Sequence, residues 1–212
     1  DNDQIVHILL KISSRAVPSW QNASGIFDYY RATLYNDLRN PSQEELTIAE
    51  SILSHLVDKY PDYIPYRNGL TETYTLEGKY QKSIVEADKV IAFTDYYSDP
   101  YWYKGVSLNF LGDQQGAFDN LYAAVTRDYN IDEENLSNLI KLAIILDKNK
   151  ELPLLYQTAI SLDPNNTQLY ASLAAAYQKI GDYNNARITA QKMLELNPSL
   201  KPQIDAFLKT LP

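Results

Sequence analysis

A glycine that returns at a fixed spacing between apolar helical segments constrains the fold more than any other feature of this sequence. Gly78 begins the stretch GKY, Gly112 begins GDQ and Gly181 begins GDY. The first two glycines lie 34 positions apart, and the third follows after 69 positions, or two such intervals plus one residue. Asp147, in the stretch DKNKE, occupies the missing interval. Such spacing indicates a structural unit that repeats along the chain.

The segments on both sides of each glycine have apolar residues at every third or fourth position, as on one face of an α-helix. Each glycine therefore predicts the tight turn of a helical hairpin, where the left-handed backbone is most favourable for a residue without a Cβ. Pro164 and Pro198 also lie 34 positions apart, and each predicts the end of a second helix. Because one hairpin leaves an apolar face exposed, we expect neighbouring hairpins to stack.

The stretch 167–198 shows the pattern most completely. Its aromatic, small and turn positions are Tyr170, Leu173, Ala174, Tyr177, Gly181, Tyr183, Ala186, Ala190 and Pro198. In these residues the chain resembles the tetratricopeptide repeat (TPR) family, whose helix-turn-helix unit spans about 34 residues and closes with a proline. The resemblance implies an all-α fold, a right-handed α-solenoid of about five helix-turn-helix repeats.

The resemblance implies one repeat array over residues 1–212. The predicted hairpins are residues 24–60, 64–96, 98–130, 133–164 and 167–198. A helix over residues 3–15 is predicted before them, and a capping helix over residues 200–211 after them.

Small residues predict where the two helices of a hairpin cross closely. The expected facing pairs are Gly105 with Ala117, Thr71 with Ser83, and Ala174 with Ala186. In hairpin 133–164, Ile140 and Leu152 replace the small pair, so its helices are expected to lie slightly farther apart. Tyr74, Tyr101 and Tyr177 are expected to fill the wider gaps between hairpins.

Composition excludes several classes of function. The net charge of −8 and the absence of a basic run argue against nucleic-acid binding. The longest apolar stretches, such as LIKLAIIL, are far shorter than the roughly 20 residues that cross a bilayer, so no membrane span is predicted. The first residue is Asp1, which is compatible with processing, and cytoplasmic and secreted locations both stay open.

The residues that catalysis or metal binding requires are scarce. The chain has no cysteine, and its two histidines, His7 and His55, lie far apart in the sequence. The acidic stretch IDEEN is best interpreted as the start of a helix with Asp132 as its N-cap. We therefore expect no enzyme, no catalytic or metal site and no cofactor.

The TPR resemblance implies a binding groove lined by the first helix of each hairpin. The residues expected to face it are Asn68, Glu72, Trp102, Val106, Asn109, Ser137, Lys141, Ala171 and Gln178. Trp102 has two interpretations: an exposed anchor for a peptide or a sugar ring, or a ring that a neighbouring helix buries.

Two functions stay open. The first is a non-enzymatic scaffold that binds a peptide or protein in the concave groove. The second is a structural protein that binds further copies of itself, as a cell-surface or extracellular fibre subunit with N-glycans. Self-association would use the apolar residues Val6, Ile8, Leu10 and Trp20, and the glycosylation sequons begin at Asn22, Asn135 and Asn165.

Overall fold

The computed structural model describes residues 41–212. That part of the chain is entirely helical, with ten α-helices and no strand, which confirms the predicted all-α class. The helices are α1 Gln43–Lys59, α2 Ile64–Leu76, α3 Tyr80–Phe93, α4 Asp99–Phe110, α5 Gln114–Val125, α6 Glu133–Ile145, α7 Leu152–Leu162, α8 Thr167–Lys179, α9 Tyr183–Leu196 and α10 Lys201–Leu208. The predicted helix 3–15 and most of hairpin 24–60 lie outside the described residues. The handedness of the solenoid stays a prediction.

The chain divides into two compact units, Asp1–Tyr129 and Asn130–Pro212. The described part of the first unit contains α1 to α5, and the second unit contains α6 to α10.

In the first unit each helix packs on the next one along the chain, and α2 also packs directly on α4. Helix α1 begins with a capping box, because the side chain of Ser42 accepts from the backbone of Glu45 and Glu45 bonds back to Ser42. Its buried residues are Leu46, Ala49, Leu53 and Leu56. Their spacing of three and four places them on one face, and Leu53 packs there with Leu70 and Tyr74 of α2.

In the second unit, α6 to α10 also pack in chain order. Leu136 and Leu139 of α6 and Leu155 of α7 are fully buried. A short 3₁₀ turn at Pro198–Leu200 leads into α10, where Ile204 is buried. The last helix therefore covers the apolar side of the unit, although it ends at Leu208, before the expected residue 211.

The four turn positions have the expected left-handed backbone. The φ angles are +74° at Gly78, +86° at Gly112, +80° at Gly181 and +53° at Asp147. Asp147 can occupy this region because its short carboxylate bonds locally, accepting from Nδ2 of Asn149 at 2.7 Å. The prediction that an aspartate takes the place of a turn glycine is confirmed.

A close crossing between α4 and α5 lies at Gly105. A Cβ placed on Gly105 would lie 2.7 Å from Cγ of Leu121 and 2.9 Å from its backbone nitrogen. Leu121 therefore meets Gly105 first, one helical turn beyond Ala117, because the rotation of α5 about its axis decides which residue faces α4. The expectation of a close approach at Gly105 is confirmed, and the atoms nearest to it belong to Leu121 rather than to the predicted Ala117.

Candidate functional site

The first helices of two neighbouring hairpins are joined by a hydrogen bond between polar side chains. The hydroxyl of Tyr103 on α4 donates to Oε1 of Glu72 on α2 at 2.6 Å. Asn68 lies one turn before Glu72 on α2, and Asp99 lies one turn before Tyr103 on α4, so each pair shares a helix face. We call Asn68, Glu72, Asp99, Tyr103 and Tyr129 the α2–α4 polar cluster.

Asp99 opens α4 and is half-buried. It makes no side-chain hydrogen bond or ion pair with another residue between 41 and 212. Burial raises the pKa of its carboxyl group above the usual range, because leaving water disfavours the charged form. Within the described residues, no hydrogen-bond donor compensates for the partial burial of the Asp99 carboxyl group.

Tyr103 lies near two carboxylates, those of Glu72 and Asp99. Burial raises the pKa of its phenol far above the usual value, and the nearby charges of Glu72, Tyr129 and Asp99 raise that pKa further. The phenol therefore stays protonated at physiological pH and donates its hydrogen to Glu72. The side-chain oxygen of Asn68 is also buried and has no hydrogen-bond partner.

The two aromatic residues at the start of α4 are buried to different degrees. Trp102 is 8% exposed, and its ring stacks on Tyr129 with 4.4 Å between centroids. Tyr101 is half-buried, with the Arg127 guanidinium 4.1 Å from its ring centroid. Of the two interpretations of Trp102, the structure supports the buried ring, because the segment after α5 brings Tyr129 against it. Whether Trp102 contacts a partner stays a prediction.

The other predicted groove residues lie in both units. Val106 is half-buried and Asn109 is exposed on α4. In the second unit, exposed Lys141 donates to Asn138 at 3.4 Å, while Gln178 donates to Thr210 at 2.9 Å. Of the predicted groove residues, Asn68 and Glu72 belong to a polar cluster, and a binding role for any of them stays a prediction.

Sequence reasoning missed Asp99, Tyr103 and Tyr129. The four-residue spacing of Asp99 and Tyr103 on a predicted helix was a usable signal, since such residues lie on one helix face. No comparable signal marked Tyr129, because it lies in the connection after α5.

The residues predicted for self-association, Val6, Ile8, Leu10 and Trp20, lie outside the described residues, as does the sequon residue Asn22. Asn135 is exposed, and its amide donates to Oδ2 of Asp132 at 2.6 Å. Asn165 is exposed in the connection between α7 and α8. Glycosylation at these positions stays a prediction.

Asp132 caps α6, as the acidic stretch predicted. Its side chain accepts from the backbone N–H of Asn135 at 2.8 Å, and this bond lowers the pKa of the carboxyl group. Across residues 41–212, no group of three His, Cys, Asp or Glu side chains is placed to hold a metal ion. Within the same residues, none of the helices has the length and apolar character needed to cross a bilayer.

The family model described as "Psidin, N-terminal TPR repeats region" matches residues 75–202, more than half of the chain. The chain belongs to the tetratricopeptide repeat family. No curated protein matches it significantly.

Two solved structures show the same fold. YrrB, whose crystal structure is described as "a TPR protein with an unusual peptide-binding site", is 17% identical, with a TM-score of 0.53 over 90% of this chain and 95% of YrrB. The crystal structure of MamA protein is also 17% identical, with a TM-score of 0.50 over 82% of this chain and 94% of MamA. At this level of identity the likeness concerns the fold alone.

Proposed function

We propose that the chain is a non-enzymatic protein-interaction scaffold that holds a peptide, or a segment of a partner protein, where α2 and α4 meet. Membership of the TPR family supports the general class, because repeat solenoids present extended surfaces for binding. The description of YrrB as having a peptide-binding site supports a peptide as the kind of partner.

The observation that carries the proposal is that two side chains of the α2–α4 polar cluster, those of Asn68 and Asp99, lack a hydrogen-bond partner among the described residues. Asn68 has a buried oxygen without a donor, and the carboxylate of half-buried Asp99 has no bonded partner among the described residues. An unmade hydrogen bond at a buried polar atom costs about 1–3 kcal/mol. A bound peptide would supply donors to the partly exposed Asp99 carboxylate from its backbone and side chains, so binding would recover this free energy at that group.

A selection with a displayed random-peptide library tests this proposal. We expect the wild-type chain to enrich a set of related peptides, and the synthetic form of one of them to bind in a calorimetric titration. Asp99→Asn should weaken that binding by at least about tenfold, because the charged acceptor is lost. Asp58→Asn, an exposed change on α1, is the matched control and should leave affinity unchanged.

Native mass measurement of the free chain separates this proposal from self-assembly. A monomer that binds the selected peptide agrees with a scaffold. An open-ended polymer, together with no enriched peptide, would contradict the scaffold and favour the structural alternative.

A further inference from the structure

Residues of α6, α7 and α8 in the second unit line a crevice of about 190 Å³. Helix α6 packs on α7 and α7 packs on α8, but α6 makes no packing contact with α8. Helices α6 and α8 are the first helices of two successive hairpins. In the first unit the corresponding helices, α2 and α4, pack directly on each other. The crevice therefore lies where a direct contact between first helices is missing.

The walls of the crevice are largely apolar side chains that the chain covers only in part. They belong to Leu136, Ile140, Tyr156, Ala159, Leu162 and Leu169. Ile140, Tyr156 and Leu169 are half-buried, and Leu162 is 47% exposed. An apolar cavity of about 150 Å³ is large enough to bind benzene. The crevice therefore has room for one apolar side chain of the size of leucine, whose burial there would remove apolar surface from water.

The lining also contains two acids, and none of its described residues is lysine or arginine. Glu133 in the first turn of α6 and Asp163 after α7 are both exposed, so their carboxylates lie at the mouth. Glu133 makes no side-chain hydrogen bond or ion pair with another residue between 41 and 212. The carboxylate of Asp163 accepts from the neutral amide of Asn166 at 3.0 Å. The mouth of the crevice therefore carries negative charge without a cation of its own.

We propose that this crevice binds the N-terminal residue of a polypeptide chain, where that residue is leucine or an apolar residue of similar size. An N-terminal residue carries an apolar side chain and an ammonium group on the same carbon atom. The side chain would enter the crevice, and the ammonium group would donate to the carboxylates of Glu133 and Asp163 at the mouth. This second site lies in the other unit from the α2–α4 polar cluster and does not rest on the proposed function.

The position of the charges favours an N-terminus over a lysine or arginine side chain. Those side chains carry their charge at the far end of the stem, so a head group that entered the crevice would lie among apolar walls and lose its hydration. A polypeptide is also favoured over a small amine. Ser137 is exposed in the lining, and its hydroxyl has no hydrogen-bond partner among residues 41–212. It can bond to the first peptide group of a bound chain.

The experiment titrates the ¹⁵N-labelled chain with the amidated tripeptide leucyl-alanyl-alanine and follows the backbone amide signals by NMR. We expect saturable shifts at Ile140 and Leu169. Acetylation of the peptide N-terminus, which removes the charge, should weaken binding by about tenfold. Replacement of the leucine by alanine should weaken it by about 30-fold, because most of the buried apolar surface is lost. Since only the peptide changes, these results do not depend on the folding of a variant.

Two pairs of variants test the protein side. Glu133→Gln should weaken binding of the free tripeptide by about fivefold. Its control, Glu134→Gln, removes the same charge from the same turn of α6 outside the lining and should change the affinity much less. Ser137→Phe should abolish saturable binding because its ring would occupy the crevice or its mouth. Asn138→Phe, at the next exposed position outside the lining, should keep it. Circular dichroism verifies that the variants are folded.

Three results would overturn this inference. The first is the absence of saturable shifts at Ile140 and Leu169, and the second is equal affinity for the free and the acetylated tripeptide. The third is binding of isopentylamine as tight as that of the tripeptide, which would identify the ligand as a small amine. None of these results bears on the α2–α4 polar cluster. A failed peptide selection there would in turn leave this inference standing.

Discussion

The hairpin formed by α4 and α5 and the hairpin formed by α6 and α7 follow the same plan but differ at one crossing. Gly105 lies seven residues before the turn residue Gly112, and Leu121 lies nine residues after it. At the same distances from the turn residue Asp147 stand Ile140 and Tyr156. The pair of Gly105 and Leu121 thus corresponds to the pair of Ile140 and Tyr156. The side chains of the second pair occupy a much larger volume.

The hairpin of α4 and α5 is also more tightly packed than the hairpin of α6 and α7. The backbone of α4 approaches Leu121 so closely that no Cβ fits on Gly105, and α4 also packs directly on α2. Helix α6 packs less extensively on α7, and it does not pack on α8. Residues of α6, α7 and α8 line a crevice of about 190 Å³, among them Ile140, Tyr156 and Leu169. The size of one residue pair therefore decides whether neighbouring helices close together or leave a gap.

Gly105→Leu is the strongest way to break this comparison. The new side chain would overlap both the side chain and the backbone nitrogen of Leu121, so the helices of the tight hairpin must separate. We expect a loss of about 2–3 kcal/mol in the free energy of unfolding, measured by urea denaturation. Ala92→Leu, at an exposed position of α3, is the control and should have little effect. Equal stability of the two variants would contradict a close crossing at Gly105.

Tyr103→Phe removes the hydrogen bond that joins α4 to α2. Because the acceptor is a carboxylate, we expect a loss of about 1.5 kcal/mol in stability at pH 7. The folded pKa of Tyr103 is raised, so its contribution is fully present below the unfolded value of about 10 and is lost as the pH rises above it. Wild-type stability should therefore fall at alkaline pH more steeply than that of the variant. Parallel pH profiles of unfolding would contradict this assignment.

Ile140→Ala tests the open hairpin. Ile140 is half-buried beside an existing crevice, so its truncation removes fewer contacts than the loss of a fully buried isoleucine. We expect a loss of about 1 kcal/mol, below the range for well-packed core positions. Leu139→Ala on the same helix, where the side chain is 2% exposed, should cost at least twice as much. If Ile140→Ala were the more harmful of the two, the crevice would be of no consequence for stability.

Asp99→Asn should have the smallest effect, and it should stabilise the free chain. The folded pKa of Asp99 is raised, so the stability associated with this group is present at low pH and is lost as the pH rises through that pKa. At pH 7 the variant should gain less than about 1 kcal/mol, since solvent screens a partly exposed group. The gain should disappear below about pH 4, where the unfolded aspartate is also protonated. A loss of stability at pH 7 would contradict the absence of a partner for Asp99.

The sequence predicted the helices and the turns well because each rests on local pattern. Gly78, Gly112 and Gly181 take positive φ angles because each tight turn requires a left-handed residue. The turn at Asp147 could be predicted from the repeat spacing alone. The loose crossing at Ile140 agrees with the expectation drawn from residue size. These features depend on neighbours within one hairpin.

The contacts of the candidate site depend on how neighbouring helices are rotated and aligned against each other. No local sequence pattern contains that information. Leu121 rather than Ala117 lies nearest to Gly105, because the rotation of a helix about its axis is a tertiary property. Trp102 is buried because Tyr129 returns to it from beyond the next helix. Glu72 was placed on the binding side by family resemblance, but its bond to Tyr103 follows from how α2 and α4 align.

The crevice beside Ile140 has a consequence for the way the second unit opens. In helical repeats each hairpin is stabilised by its contacts with its neighbours, so a weakly packed hairpin lowers the free energy of local opening. Backbone amides in the middle of α6 should therefore exchange with deuterium sooner than those in the middle of α8, which packs closely on α9. The residue pair at one crossing would then set where native-state fluctuations of this unit begin.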